Sequence, residues 1–400
     1  MNSAAIIEIP GEDARLRRKI RSHFKLLGFT KGPDGALVLP GLDKQSYRDL
    51  HAHQRDAGLV ANKEWIDRHA SKLIQHFASG AELDVAKVCP RLEVVQSKTW
   101  QSDLFRLATY YWRIPISEGY GRRMRFLVWD EYHEKLIGIF ALGDAVFNLK
   151  ARDEFIGWDH HQRAKGLINL MDAYALGAVP PYNMLLGGKL IASLIQTREV
   201  ANAFQTKYHD SVGIISGECK HARLVAVTTT SALGRSSIYN RLRIGDESVF
   251  RSIGYTSGWG HFHISDALFD DFRKYLESIG DEYAGTHNYG QGPNYRLRVV
   301  RKVLTMLGMD PDLARHGLAR EVFFCPLATN AMQVLRGEHK QVRYSGLPTV
   351  VQRANAALTR WVLPRADRRP EFRDWQQMDF LQEIASDRET GARLRVNKAG

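Results

Sequence analysis

The stretch Ala173-Tyr-Ala-Leu-Gly-Ala-Val179, Pro180-Pro-Tyr-Asn183, Leu185-Leu-Gly-Gly-Lys-Leu190 decides how the chain is read. An apolar run broken by two prolines and resumed through two glycines predicts a strand, a Pro-Pro corner, a short loop and a helix beginning near Gly187. Glycines at a helix start let a ligand approach backbone N–H groups, and the helix dipole there favours phosphate or pyrophosphate. Gly187, Gly188 and Lys189 are therefore candidate cofactor-binding residues, with Lys189 adding a cation. The plainer alternative is that the two glycines only permit tight helix–sheet packing.

Outward from this segment, apolar and β-branched runs at residues 92–95, 126–129, 136–142 and 224–230 predict strands. Helical stretches near 160–172 and 186–206 alternate with them. The expected fold is α/β (α+β), a mixed sheet covered on at least one face, with helical additions at both ends. Leu16, Ile20, Phe24 and Leu27 repeat at helical spacing before Gly28, as do Trp65, Ile66, Leu73 and Phe77 before Gly80, so residues 1–85 read as a helical region. The core spans 90–262, a helical and mixed region spans 263–345, and residues 346–400 read as a charged, peripheral tail. In the third region one helix carries Leu268, Phe272, Tyr275, Leu276 and Ile279. A second is built on Leu297, Val300, Leu304 and Leu307.

A net charge of +12 and a sequence pI near 9.5 give a field that attracts polyanions, which makes nucleic acid, and DNA in particular, the expected partner. The longest apolar run, residues 136–142, is too short to span a bilayer, so no membrane partner is expected. Residues 4–7 are too soon interrupted by Pro10 and Glu12 to form a signal peptide. Cys89, Cys219 and Cys325 show no C-x-x-C spacing, which argues against a disulfide framework or a cysteine zinc site and fits a reducing, cytoplasmic setting.

Four groups of residues carry candidate chemistry. Thr228, Thr229, Thr230, Ser231, Arg235, Ser236, Ser237, Tyr239, Asn240 and Arg241 offer hydroxyls and guanidinium forks for phosphate, although Ser236 or Ser237 can equally be a helix N-cap. Arg296, Arg298, Arg301 and Lys302, with no carboxylate between residues 283 and 309, form the expected nucleic-acid-binding helix, and Tyr289, Tyr295 and Trp259 can stack bases. His261 and His263 fall on one side of a strand, where His287 or Asp266 can complete a metal site. Asp144, Asp153 and Asp159, with Glu154, can hold Mg²⁺ for phosphodiester cleavage. Glu218-Cys-Lys220 resembles the E-x-K element of restriction-type nucleases. Asp144, Asp153, His261 and His263 are thus the candidate catalytic residues, with Tyr239 from the reading below.

Val179, Pro181 and Gly188 resemble the pyrophosphate loop of GCN5-related N-acetyltransferases, although Met184 replaces the usual basic residue or glutamine and Leu186 the first glycine. Residues 224–230 then resemble that fold's closing strand and residues 236–242 its tyrosine-bearing helix. The resemblance implies acyl-CoA as cofactor and Tyr239 as the acid for the departing thiolate. A longer likeness covers about residues 135–338. Its blocks are Leu136-Ile-Gly-Ile-Phe-Ala-Leu-Gly-Asp144, Arg152-Asp-Glu-Phe-Ile-Gly-Trp-Asp159, Gly177-Ala-Val-Pro-Pro-Tyr-Asn183, Leu186-Gly-Gly-Lys-Leu190, the run from Thr228 to Leu242, Gly254-Tyr-Thr-Ser-Gly-Trp-Gly-His-Phe-His263 and Gly292-Pro-Asn-Tyr-Arg-Leu-Arg298. These resemble the DruA family of Druantia anti-phage defence systems. That resemblance implies a bacterial defence setting and a helicase-like partner, and it supplies no catalytic mechanism.

Overall fold

The computed structural model describes residues 11–33, 37–38, 44–114, 116, 121–212, 217, 219–232, 234–258, 263–281, 293–314 and 318–386. Two compact units divide the chain, one of residues 1–54 with 256–320 and one of residues 55–255 with 321–400.

The larger unit holds a seven-stranded sheet. Its strands are β1 (Pro90–Val94), β2 (Arg123–Asp130), β3 (Lys135–Asp144), β4 (Leu170–Ala178), β5 (Ala226–Thr230), β6 (Arg251–Tyr255) and β7 (Glu321–Pro326). They lie in the order β1-β2-β3-β4-β5-β7-β6. Every neighbouring pair is antiparallel except β4 and β5. A parallel pair needs a long crossover, and the chain between them supplies one with the helices Gly187–Leu194 and Arg198–Tyr208. Parallel pairing joins only Leu170–Asp172 to Ala226–Thr228, after which the two strands part.

Both faces of the sheet are covered. Along β3, Ile137, Phe140 and Leu142 enter one core while Leu136, Ile139 and Ala141 enter another. The alternation changes phase beside Gly138, where the β2–β3 register shifts between Val128 and Trp129, as an inserted residue requires. Each such large side chain removed from water contributes roughly 1.5–3 kcal/mol. The continuous apolar run at residues 136–142 reflects this two-sided burial.

Several expectations are corrected. Residues 170–172 belong to β4 rather than to the preceding helix, which is confined to His160–Gly166. The stretch expected to close the sheet is central, with β4 on one side of β5 and β7 on the other. Residues 236–242 make a single 3₁₀ turn, Tyr239–Arg241, because Ser236 Oγ accepts from the N–H groups of Ile238 and Tyr239 at 3.2 Å each and competes with a helical ladder. Ser236 thus stabilises a turn and caps no helix, since Ile238 stands at the N-cap position of Tyr239–Arg241. Residues 347–386 are not peripheral: Val350, Ala354, Ala357, Trp361 and Phe372 are buried in the main core, and Phe380 and Ile384 in the other. Their apolar stripe is masked in the sequence by the arginines between them.

In the smaller unit, Leu16, Ile20 and Phe24 are buried along the helix Glu12–Leu26. The helix Asp266–Ser278 buries Leu268, Phe272, Tyr275 and Leu276, and Pro293–Met306 buries Val299, Val300, Val303 and Leu304. Gly28, Gly280 and Gly308 follow the three helices with φ of +74°, +68° and +62°, left-handed stops that glycine adopts freely. Among the described residues no helix is long and apolar enough to cross a membrane.

Candidate functional site

The corner after β4 is rigidly held. Tyr182 Oη donates to Asp130 Oδ2 at 2.9 Å, and the N–H groups of Leu185 and Gly187 both donate to Tyr182 O, at 3.1 and 2.8 Å. Leu186 stands in the left-handed region at φ +60° and starts the helix. A Cβ on Gly187 would lie 2.5 Å from Tyr182 O and 2.9 Å from Ala178 Cβ, so this glycine permits close packing and its N–H is already used. Gly188 differs. A Cβ there would lie 3.4 Å from Ile238 Cδ1, so Gly188 is the surface on which the 236–241 turn rests.

That contact brings two segments of candidate residues together. Lys189 lies within electrostatic reach of Arg241 and of Arg360, and its pKa is lowered, first by burial and then by these two cations. Its Nζ stands 5.4 Å from the Trp361 ring centroid. Arg241 and Arg360 are exposed, and neither they nor Lys189 forms an ion pair with a described residue. Arg365 Nε donates to Met184 O at 3.2 Å on the same loop. Arg235 and Ser237 are exposed on the neighbouring turn. Lys189, in the first turn of the helix, thus has Arg241 and Arg360 within electrostatic reach, at a helix start whose dipole has the same sign. Arg360 was not anticipated. Its only sequence signal is an exposed cation between the buried Leu358 and Trp361.

A buried carboxylate holds the turn. Glu321, 3% exposed at the head of β7, accepts from Asn240 Nδ2 at 2.7 Å, Ser252 Oγ at 2.8 Å and Ser236 N at 3.3 Å. Glu321 also escaped the sequence reading. An acid leading directly into Val-Phe-Phe-Cys was the available sign that it is buried and needs donors.

Where β4 and β5 part, Thr228 Oγ1 donates to Asp172 Oδ1 at 2.8 Å and Thr229 Oγ1 to Ala173 O at 2.8 Å. Burial pushes the half-buried Asp172 carboxyl up to about 6, against the Thr228 hydrogen bond and the charges of Arg152 and Arg123. Tyr239 packs between Phe250 and Phe323, each ring centroid 5.0 Å away, and burial raises its hydroxyl to about 12, against a hydrogen bond with Thr229.

The remaining candidates are occupied elsewhere. Asp144 accepts from Arg122 through Nε at 2.7 Å and N at 2.8 Å. Asp153 accepts from Arg152 at 2.6 and 2.9 Å and from Arg163 at 3.0 Å. Asp159 caps the helix His160–Gly166. No three of Asp144, Asp153, Glu154 and Asp159 share a site among the described residues. On the Arg-rich helix, Arg296 pairs with Asp266 at 2.7 Å and Lys302 with Asp281 at 2.7 Å. Those carboxylates flank the preceding helix, outside the window read for charge. Arg298 and Arg301 are exposed, whereas Tyr295 is buried against Phe269 and offers no stacking face. His263 is buried on the rings of Phe24 and Phe29 and approaches Leu313 O at 3.3 Å. Trp259, His261, His287, Tyr289 and Glu218 lie outside the described residues.

Fold and site define a mixed α/β protein in which one strand of the central parallel pair leads into a glycine helix start bearing Lys189. The chain belongs to the DruA family: the family described as Druantia protein DruA matches residues 41–337. Druantia protein DruA of Escherichia coli (strain UMEA 4076-1) is 49% identical over 382 residues, 96% of this chain and 95% of that protein. No solved structure matches. The family's members are components of the Druantia anti-phage defence system.

Proposed function

We propose that this chain serves its defence system by binding the phosphates of DNA at Lys189, Arg241 and Arg360, with Arg235 extending the contact. The observation that carries this reading is that Arg241 and Arg360, from distant segments, lie within electrostatic reach of Lys189 and that none of the three forms an ion pair with a described residue. Guanidinium and ammonium groups within electrostatic reach repel one another, and phosphate oxygens relieve the repulsion while the dipole of the helix start favours the same negative charge. The net charge of +12 favours the same partner at longer range. The Arg-rich helix Pro293–Met306 takes a smaller part, since two of its four cations are neutralised in place. Family membership supports other proteins of the defence system as partners, and the helicase-like one among them is part of this proposal.

Fluorescence anisotropy on a labelled duplex over a salt series tests this. Each phosphate contact contributes about 0.9 to the slope of log Kobs against log salt, so Lys189→Ala, Arg241→Ala and Arg360→Ala together flatten it by about 2–3. Arg296→Ala leaves the slope as it is. A triple variant with the wild-type slope removes the proposal.

A second reading has its own observation, the parting of β4 and β5 after Asp172 and Thr228 beside Tyr239. An acyl-CoA can set its phosphates on the same cations and its thioester near Tyr239, which, protonated at neutral pH, donates its proton to the CoA thiolate released as a substrate amine takes the acyl group. Calorimetry with acetyl-CoA decides it. No heat of binding eliminates this reading and leaves the first intact.

A further inference from the structure

A different cluster lies at the end of the helix Arg198–Tyr208. His209 and Asp210 follow its last turn, and the chain folds back through the antiparallel bridge of Val212 with Cys219 and the bond from Lys220 N to Ser211 O at 3.1 Å. This fold-back sets His221 and Cys219 against the helix end. One ligand atom each from His209, Asp210 and His221 lie within 4.8 Å of one another. His209 Nδ1 is 2.5 Å from Asp210 Oδ1, and the two imidazole centroids are 5.4 Å apart. Cys219 Sγ lies 3.6 Å from His221 Nδ1 and 4.0 Å from His209 O. His221 is held at φ +43°, a left-handed conformation rare outside glycine.

We propose that His209, Asp210, Cys219 and His221 bind one divalent cation of the zinc class. Two imidazoles, a carboxylate and a thiolate are the donors of a tetrahedral site with N or O at about 2.0–2.2 Å and S at about 2.3 Å. Nitrogen and sulfur donors select zinc-class ions over magnesium or calcium. The ligand charges also balance, since an ionised Asp210 and Cys219 with two neutral imidazoles cancel a double positive charge. Asp210, Cys219 and His221 are exposed and His209 is half-buried, so the side chains can turn onto the ion without moving the core. With four protein ligands the ion is a structural clasp that fastens residues 219–221 to the helix end. No C-x-x-C spacing announces the site, because it uses one cysteine and draws its other donors from both arms of a fold-back.

The test is a titration of the full chain with cobalt(II), followed by absorbance, alongside Cys219→Ser, His209→Ala with His221→Ala, and Cys89→Ser as a control on the other exposed cysteine. The expected result is one equivalent bound with a thiolate-to-cobalt charge-transfer band. Cys89→Ser keeps both. Cys219→Ser loses the band and binds about tenfold or more weakly, and the double histidine variant loses the site. Circular dichroism confirms that each variant is folded. The proposal is overturned by a wild-type chain without the band, or by a double histidine variant that keeps it.

Discussion

Asn240 Nδ2 donates to Glu321 Oε2 at 2.7 Å, which ties the turn carrying Arg241 to the first residue of β7. With Ser236 N and Ser252 Oγ on the same carboxylate, Glu321 fixes one edge of the cationic site from below. Glu321→Ala takes the acceptor from the buried Ser236 N and from Ser252 Oγ, while Asn240 Nδ2 keeps Ser236 O at 2.9 Å. A buried donor left so costs about 1–3 kcal/mol, and urea denaturation reads the loss directly. Glu321→Gln, which keeps one acceptor oxygen, recovers part of it. An alanine variant as stable as the wild type contradicts this role.

Asp153 is a structural partner of Arg152 rather than a ligand in waiting. Arg152 is fully buried and also donates to the carbonyls of Val146 at 2.7 Å and Phe147 at 2.9 Å. Removing its carboxylate in Asp153→Ala strands a buried charge, with an expected loss of about 3–5 kcal/mol in chemical denaturation. Adding Mg²⁺ changes neither protein's midpoint. A midpoint that rises with Mg²⁺ in the wild type alone speaks for metal binding instead.

The paired glycines have separate tasks and separate sensitivities. Gly187→Ala forces a Cβ against Tyr182 O and costs about 1–3 kcal/mol by overpacking. Gly188→Ala meets only Ile238 at ordinary contact distance and changes stability by less than about 1 kcal/mol. Thermal melts of the two variants measure the contrast. Equal losses would show that the helix start is packed differently.

The raised carboxyl of Asp172 makes stability depend on pH. An unfolded carboxyl titrates at about 4, so between roughly pH 4 and 6 the folded chain holds a proton that the unfolded chain has released. This contribution is fully present below about pH 4 and is lost as pH rises through 6. Asp172→Asn removes the dependence. The variant gains up to about 2–3 kcal/mol over the wild type at pH 8 and nothing at pH 4. A constant difference across that range rules the account out.

The strands were legible because their apolar runs are continuous, and residues 136–142 declared β3 without help. The strand-to-helix corner was legible too, down to the helix start at Gly187. What escaped depends on pairing between distant segments. Lys189 and Arg241 drew separate explanations, and only the contact of Gly188 with Ile238 makes them neighbours. The Arg-rich helix read as free because Asp266 and Asp281 sit outside its own window. Glu321 and Asp172 look like ordinary acids until burial is known. Periodicity reports which way a residue faces, and it is silent about which charge meets it there.

Tyr255 and Glu321 are register partners on β6 and β7, so the polypeptide leaves the sheet and re-enters it at a single point. Everything between them is an excursion whose two ends already touch. Such a junction lets residues 256–320 pack with residues 1–54 as a unit of their own while the strand pair that seats Glu321 stays closed.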